Sequence, residues 1–217
     1  MSADGSLYLV AGNYVIYFSL KYKDKERVYR FAEVVGFPED QVNSRTVFKS
    51  FKGKIIESKR TEVRFGSKTM YKDIMIQGFT SSHDKEKIIP KFVYSLISKA
   101  KKEAFEQTVY WWYTRSGKLA LAWLLGLYDG DGNLKDNKYG LLTSGREEFL
   151  NLIAETFNCI HRAKSKGKPS GFSTRESYYL RFGTDLFDAM LNSYELSMER
   201  KRPSNWRFGS NVRSFFD

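Results

Sequence analysis

The chain has 217 residues, 41% of them hydrophobic, which is enough apolar material for one sizeable core or two small ones side by side. Lys and Arg number 36 against 25 Asp and Glu, a formal net charge of +11 that favours a polyanionic partner such as nucleic acid or an acidic membrane surface, with simple solubility as the alternative. A single cysteine, Cys159, excludes an internal disulfide framework and a Cys-based zinc cluster, and two histidines, His83 and His161, are too few for a histidine-built zinc site.

No basic-then-apolar leader follows Met1, and the longest apolar stretch is interrupted by Lys118 and Asp129. The expectation is therefore no membrane and a reducing compartment, cytoplasmic or organellar rather than secreted.

In chain order, Asp4-Gly5 is followed by Asn13 to Leu20, rich in β-branched and aromatic residues, which reads as a strand. Lys25 to Phe37 then sets Val28, Phe31, Ala32 and Val35 on one helical face, and Gly36 and Pro38 end it. Basic, alternating segments near Val42 to Phe51 and Lys54 to Phe65 predict two more strands. Ser67 is placed to cap a helix carrying Met70, Ile74 and Phe79.

The stretch from Pro90 to Gly117 holds a predicted helix and the aromatic-basic segment Tyr110 to Arg115. Trp111, Trp112 and Tyr113 are expected to cover the core rather than to stack on bases. An apolar helix over Leu119 to Tyr128 then runs into Asp129-Gly130-Asp131-Gly132.

After it the first half repeats. A strand near Tyr139 to Thr143 is followed by a helix near Arg146 to Phe157, with Phe149, Leu152, Ile153 and Phe157 inward. Basic strands come near Cys159 to Lys166 and Ser177 to Phe182, and a last amphipathic helix begins near Thr184. Phe65-Gly66-Ser67 before one helix answers Phe182-Gly183-Thr184 before the other. The organisation is an internal duplication, with halves at 1–105 and 118–217 and a connector at 106–117.

The acidic run is where chemistry concentrates. As a calcium loop it fails, because the obligatory turn glycine would fall on Leu134 and the bidentate glutamate on Gly140. As a plain helix cap it accounts for the glycines but not the carboxylates, which are unfavourable at the negative end of a helix. A bound cation would reverse that penalty.

Leu124 to Gly132 resembles the nine-residue motif of the LAGLIDADG homing endonucleases. Gly126, Leu127, Asp129, Asp131 and Gly132 match it, while Leu125 replaces its alanine and Tyr128 its isoleucine. The element order of each half is also that of the family, so the resemblance implies an α+β fold of tandem pseudo-symmetric αββαββα subdomains, each with a DNA-facing antiparallel sheet. Ser2-Ala3-Asp4-Gly5 resembles the tail of a second motif copy whose helix is missing.

The resemblance implies a site-specific double-strand DNA endonuclease using Mg²⁺ or Mn²⁺, of the kind that mobilises introns or inteins. No intein-type Cys or Ser start and His-Asn end frames the sequence, so self-splicing is not expected. Carried over by position, Asp4 and Asp131 are the metal-binding carboxylates, with Ala3 and Gly130 offering backbone oxygens. Gly126, with Leu124 and Leu127, falls at the interface between motif helices. Lys87 and Lys201, each shortly before a proline, match lysines that orient the attacking water; ordinary phosphate-contacting lysines are the alternative.

DNA readout by a sheet laid in the major groove draws on side chains that reach base edges and phosphates. Candidates in the first half are Arg45, Lys49, Lys59, Glu62 and Arg64. In the second they are His161, Arg162, Lys164, Lys166, Arg175, Tyr179 and Arg181. The unlike halves imply a long asymmetric target. Without a first motif helix the apolar face of Leu119 to Tyr128 is expected to be exposed; the explanations open are a truncated sequence or misassigned start, a helix supplied by a second chain or peptide, or a degenerate protein that binds without cutting. The alternatives are a non-cleaving protein of the same fold, either an RNA maturase or a DNA-binding regulator, and an unrelated RNA-binding α/β protein.

Overall fold

The structure is a computed structural model describing residues 5–51, 54–79, 88–166, 176–195 and 197–210. Among these, six α-helices and eight strands form two four-stranded antiparallel sheets. The chain divides into two compact units, Met1–Lys87 and Ile88–Asp217.

The first unit runs β1 (Gly5–Val10), β2 (Asn13–Lys21), α1 (Lys25–Val34), β3 (Asn43–Phe51), β4 (Lys54–Gly66) and α2 (Lys68–Ile76), with sheet order β1-β2-β4-β3. Strand alternation decides its faces, because successive side chains point to opposite sides. Leu7, Ile16, Leu20, Thr61 and Val63 are buried on one side, and α1 and α2 pack against the sheet through Val28, Ala32 and Tyr71. Ser67 caps α2 as the sequence predicts, its Oγ accepting the Met70 N–H at 3.2 Å. Met70, Ile74 and Phe79 pack against Leu7, Ile16 and Tyr71.

The second unit contains α3 (Lys91–Gln107), a 3₁₀ turn at Trp111–Tyr113, α4 (Arg115–Asp131), β5 (Gly132–Lys135), β6 (Tyr139–Ser144), α5 (Glu147–Thr156), β7 (Lys164–Ser165), β8 (Tyr178–Arg181) and α6 (Thr184–Leu191). Its sheet order, β5-β6-β8-β7, repeats that of the first. Helix α4 packs against α3, α6, β5 and β6, burying Leu121, Leu124, Leu125, Leu127 and Tyr128. Each such leucine contributes roughly 1.5–3 kcal/mol of transfer free energy. Trp111 and Trp112 are buried, as expected of core-covering residues, whereas Tyr113 is exposed.

Several expectations need correction. Each half opens with a hairpin, not a single strand: β1 precedes β2 across Ala11 and Gly12, and β5 precedes β6 across Asp136 and Asn137. The turn residues have positive φ, 48° and 79° in the first and 54° and 53° in the second. Left-handed backbone at Ala11 is uncommon, so the sequence carries little turn signal there.

Leu152 is exposed, and Leu150 and Ala154 share the inward face of α5 with Phe149, Ile153 and the following Phe157. The strand predicted from Cys159 shrinks to Lys164–Ser165. The preceding residues are tied to α5 instead, Ala163 N–H donating to Asn151 Oδ1 at 3.0 Å and Arg162 pairing with Glu155 at 2.7 Å. Among the described residues no helix is long and apolar enough to cross a membrane.

Candidate functional site

Helix α4 is held at both ends by groups distant in sequence. At its start Thr114 Oγ1 accepts the Gly117 N–H at 3.0 Å, a regular N-cap. Glu103, on α3, adds a second cap: its carboxylate accepts the Ser116 N–H at 3.1 Å and the Ser116 hydroxyl at 2.7 Å. Those two hydrogen bonds hold the Glu103 carboxyl below the usual carboxylate range.

At the other end the Asp129 carboxylate accepts the Met198 N–H at 3.1 and 3.2 Å, and the Tyr128 hydroxyl donates to the Lys201 carbonyl at 2.9 Å. Burial, with the Asp129 charge beside it, pushes the Tyr128 phenol well up and keeps it a donor. Lys201 is 4% exposed. Its Nζ donates to the carbonyls of Tyr128 and Gly130, each at 3.1 Å, and to that of Asp129.

The Gly132 N–H also donates to the Tyr128 carbonyl, and the carbonyls at this end carry the negative end of the helix dipole, so an ammonium there serves both hydrogen bonding and charge. A positive charge is therefore present at the carbonyl end of this helix within the fold. Asp131, the last residue of α4, remains half-buried. Gly132 follows where no side chain fits, since a Cβ would lie 2.5 Å from the Tyr128 carbonyl oxygen and 2.1 Å from its ring.

Of the expected interface residues, Leu124 and Leu127 are buried in the core of their own unit. Gly126 is exposed, and a Cβ built there meets nothing within 4 Å. The predicted exposure of the α4 face is thus confined to a stripe: Leu119 is 53% exposed, Ala122 half-buried and Gly126 open. Ala3, Asp4, Lys87 and Arg175 lie outside the described residues. Among the described residues no three His, Cys, Asp or Glu side chains gather as a metal-binding group.

Strand register sorts the proposed DNA contacts. On the first sheet Arg45, Glu62 and Arg64 lie opposite the helices, together with Tyr17, Lys21 and Arg60. Lys49 shares that backbone face by register. Lys59 alternates to the helix-side face with Thr61, its Nζ 3.9 Å from the centre of the Tyr22 ring. Glu62 Oε2 accepts from Tyr17 Oη at 2.8 Å and from Arg45 Nε at 3.0 Å, fixing the arginine over the sheet.

On the second sheet Lys164, Tyr179 and Arg181 share the open face with Tyr139 and Thr143, and Lys166 Nζ donates to Thr143 Oγ1 at 3.1 Å. Arg181 lies 3.6 Å from the centre of the Tyr139 ring. Partial burial, then the charges of Arg181 and Lys164, lower the His161 pKa. Arg162, paired with Glu155, turns toward α5.

Sequence reasoning missed Tyr17, Lys21, Arg60 and Tyr139. Alternation from the buried pair Thr61 and Val63 finds Arg60, but only once those residues are known to be inside.

No protein-family model and no curated protein sequence matches the chain. Among solved structures it is similar to the homing endonuclease I-WcaI bound to its DNA recognition sequence, with a TM-score of 0.52 and 15% identity, covering 92% of this chain and 79% of that one. A LAGLIDADG homing endonuclease, I-GzeII in complex with its DNA target, gives a TM-score of 0.43 at 12% identity, covering 90% and 81%. I-DmoI in complex with DNA and Mn gives 0.42 at 13%, covering 89% of each chain.

Proposed function

We propose that this chain, which has the fold of the LAGLIDADG homing endonucleases, is a sequence-specific double-strand DNA endonuclease. The observation that carries the reading is the end of α4, where a buried helix pinned from two sides terminates in Asp131. A helix built only for packing has no need of a carboxylate there.

The Asp131 carboxylate and the Gly130 carbonyl are oxygen ligands of the kind that suits a hard divalent cation, which accepts few protein ligands beside water and phosphate oxygens. Asp131, with Asp4 as its proposed counterpart, would hold Mg²⁺ or Mn²⁺. When bound, the metal supplies polarisation of the phosphate and activation of water. Arg45, Arg60 and Arg64 on one open face, and Lys164, Lys166 and Arg181 on the other, supply phosphate and base-edge contacts. Because the two sets differ, the target is asymmetric. Lys87 is proposed to act near the scissile phosphate.

The α4 stripe of Leu119, Ala122 and Gly126 is the proposed seat of a second motif helix, from a further segment or another chain. A monodisperse monomer that binds no hydrophobic dye would overturn that part.

The test is selection of a target from a randomised DNA library followed by cleavage with Mg²⁺ or Mn²⁺. Asp131→Asn is expected to keep DNA affinity within about threefold and to lower cleavage by about 100-fold or more, the scale of several kcal/mol of lost metal-assisted stabilisation. Unchanged cleavage by the variant would sink the mechanism. The engagement of the Gly130 carbonyl by Lys201 favours a second reading, a non-cleaving binding protein such as an RNA maturase or a DNA regulator. Tight binding of structured RNA or of duplex DNA with no cleavage under either metal would select it.

A further inference from the structure

We infer that Lys201 is a positioning residue that sets the end of α4, and with it Asp131 and the Gly130 carbonyl, rather than a group that meets the attacking water. This rests on the endonuclease reading for its consequence in the reaction, but the capping geometry stands without it.

Three observations carry the inference. The Lys201 side chain is 4% exposed. An ammonium has three N–H donors, and the carbonyls of Tyr128, Asp129 and Gly130 accept from Nζ, so a lysine that must also bind and polarise a water has no donor left over for it. The backbone around it is fastened independently, by the Tyr128 hydroxyl on the Lys201 carbonyl and by Asp129 on the Met198 N–H.

Helix α4 is thereby clamped at opposite ends by opposite charges, Glu103 at the start and Lys201 at the finish, each complementary to the helix dipole. The clamp acts on the turn that carries Asp131. Withdrawing the ammonium leaves three buried or half-buried carbonyls without a charged donor, a loss that opens the last turn while the rest of the helix stays held by its leucines.

The first test uses the unmutated protein. In nitrogen-15 NMR of the side-chain ammonium groups, Lys201 is expected to give a resolved signal whose hydrogens exchange slowly with water. A solvent-averaged signal like those of surface lysines would overturn the assignment.

The second compares K201M and K201R with the parent, at a temperature where each is folded. In K201M, amide hydrogen exchange in 126–132 is expected to rise by about tenfold or more, with α5 unchanged, and K201R is expected to restore most of the protection. Unchanged exchange in K201M would overturn the cap.

The third asks for the consequence. Per folded molecule, K201M is expected to need about tenfold more Mg²⁺ for half-maximal cleavage, with unaltered DNA affinity and with partial rescue by K201R. A K201M whose Mg²⁺ midpoint is unchanged, or whose cleavage vanishes at every Mg²⁺ concentration while 126–132 stays protected, would assign Lys201 another role. If the parent protein cleaves nothing, the endonuclease reading fails, and the first two measurements still decide the cap.

Discussion

The two sheets share one strand order and spend their residues differently. In the first, β3 and β4 run for 9 and 13 residues and carry Arg45, Arg60, Glu62 and Arg64 on the side away from the helices. In the second, β7 and β8 are 2 and 4 residues long. The weight of that unit lies in the 17-residue helix α4 and the aromatic rings packed on its end, Phe182 and Phe187 against Tyr128. One unit extends long strands with basic residues on one face, and the other holds a helix end in place.

The largest test of this contrast is in the helix. Leu124 is 0% exposed and Leu9, on the edge strand β1, is 55% exposed. Leu124→Ala should cost about 2–5 kcal/mol in denaturant unfolding, through lost transfer energy and the cavity left behind. Leu9→Ala should stay within about 0.5 kcal/mol. Equal losses would erase the distinction.

A smaller effect separates the two faces of the first sheet. Arg45→Ala should weaken duplex DNA binding and lower the slope of log affinity against log salt by about 1, the signature of one lost phosphate contact. Lys59→Ala, on the helix-side face, should leave that slope alone. The reverse pattern would put the ligand on the other side of the sheet.

The smallest effect is on pH. Because the folded-state pKa of Glu103 is lowered, its contribution to α4 is complete above the ordinary carboxylate range and is lost as pH falls through the lowered value. Glu103→Gln should flatten the acid limb of the stability profile measured by thermal melting. An unchanged limb would mean that Glu103 does not hold the start of α4.

Legibility in the sequence followed the range of the interaction. Ser67 declared its cap because donor and acceptor are three residues apart, and the inward residues of α1 showed in a helical repeat of apolar positions. Arg45 and Lys59 looked alike as basic residues in basic strands, and only register against the buried Thr61 parted them. The hairpin at Ala11 escaped because a non-glycine residue takes left-handed backbone there. Leu152 misled because its neighbour Leu150 satisfies the same α5 face.

By itself the sequence determined that this is a basic, duplicated α+β protein whose most informative helix ends in Asp131 and Gly132. Periodicity, turn chemistry and the motif are local properties of a chain, and they survive without coordinates. What the tertiary structure decided is the state of that helix end. The cation there is Lys201, 71 residues from the Gly130 carbonyl it caps, and the carboxylate at the helix start belongs to a different helix. A dipole can be inferred from any helix, but which distant charge closes it is settled only when packing brings the two within hydrogen-bond reach.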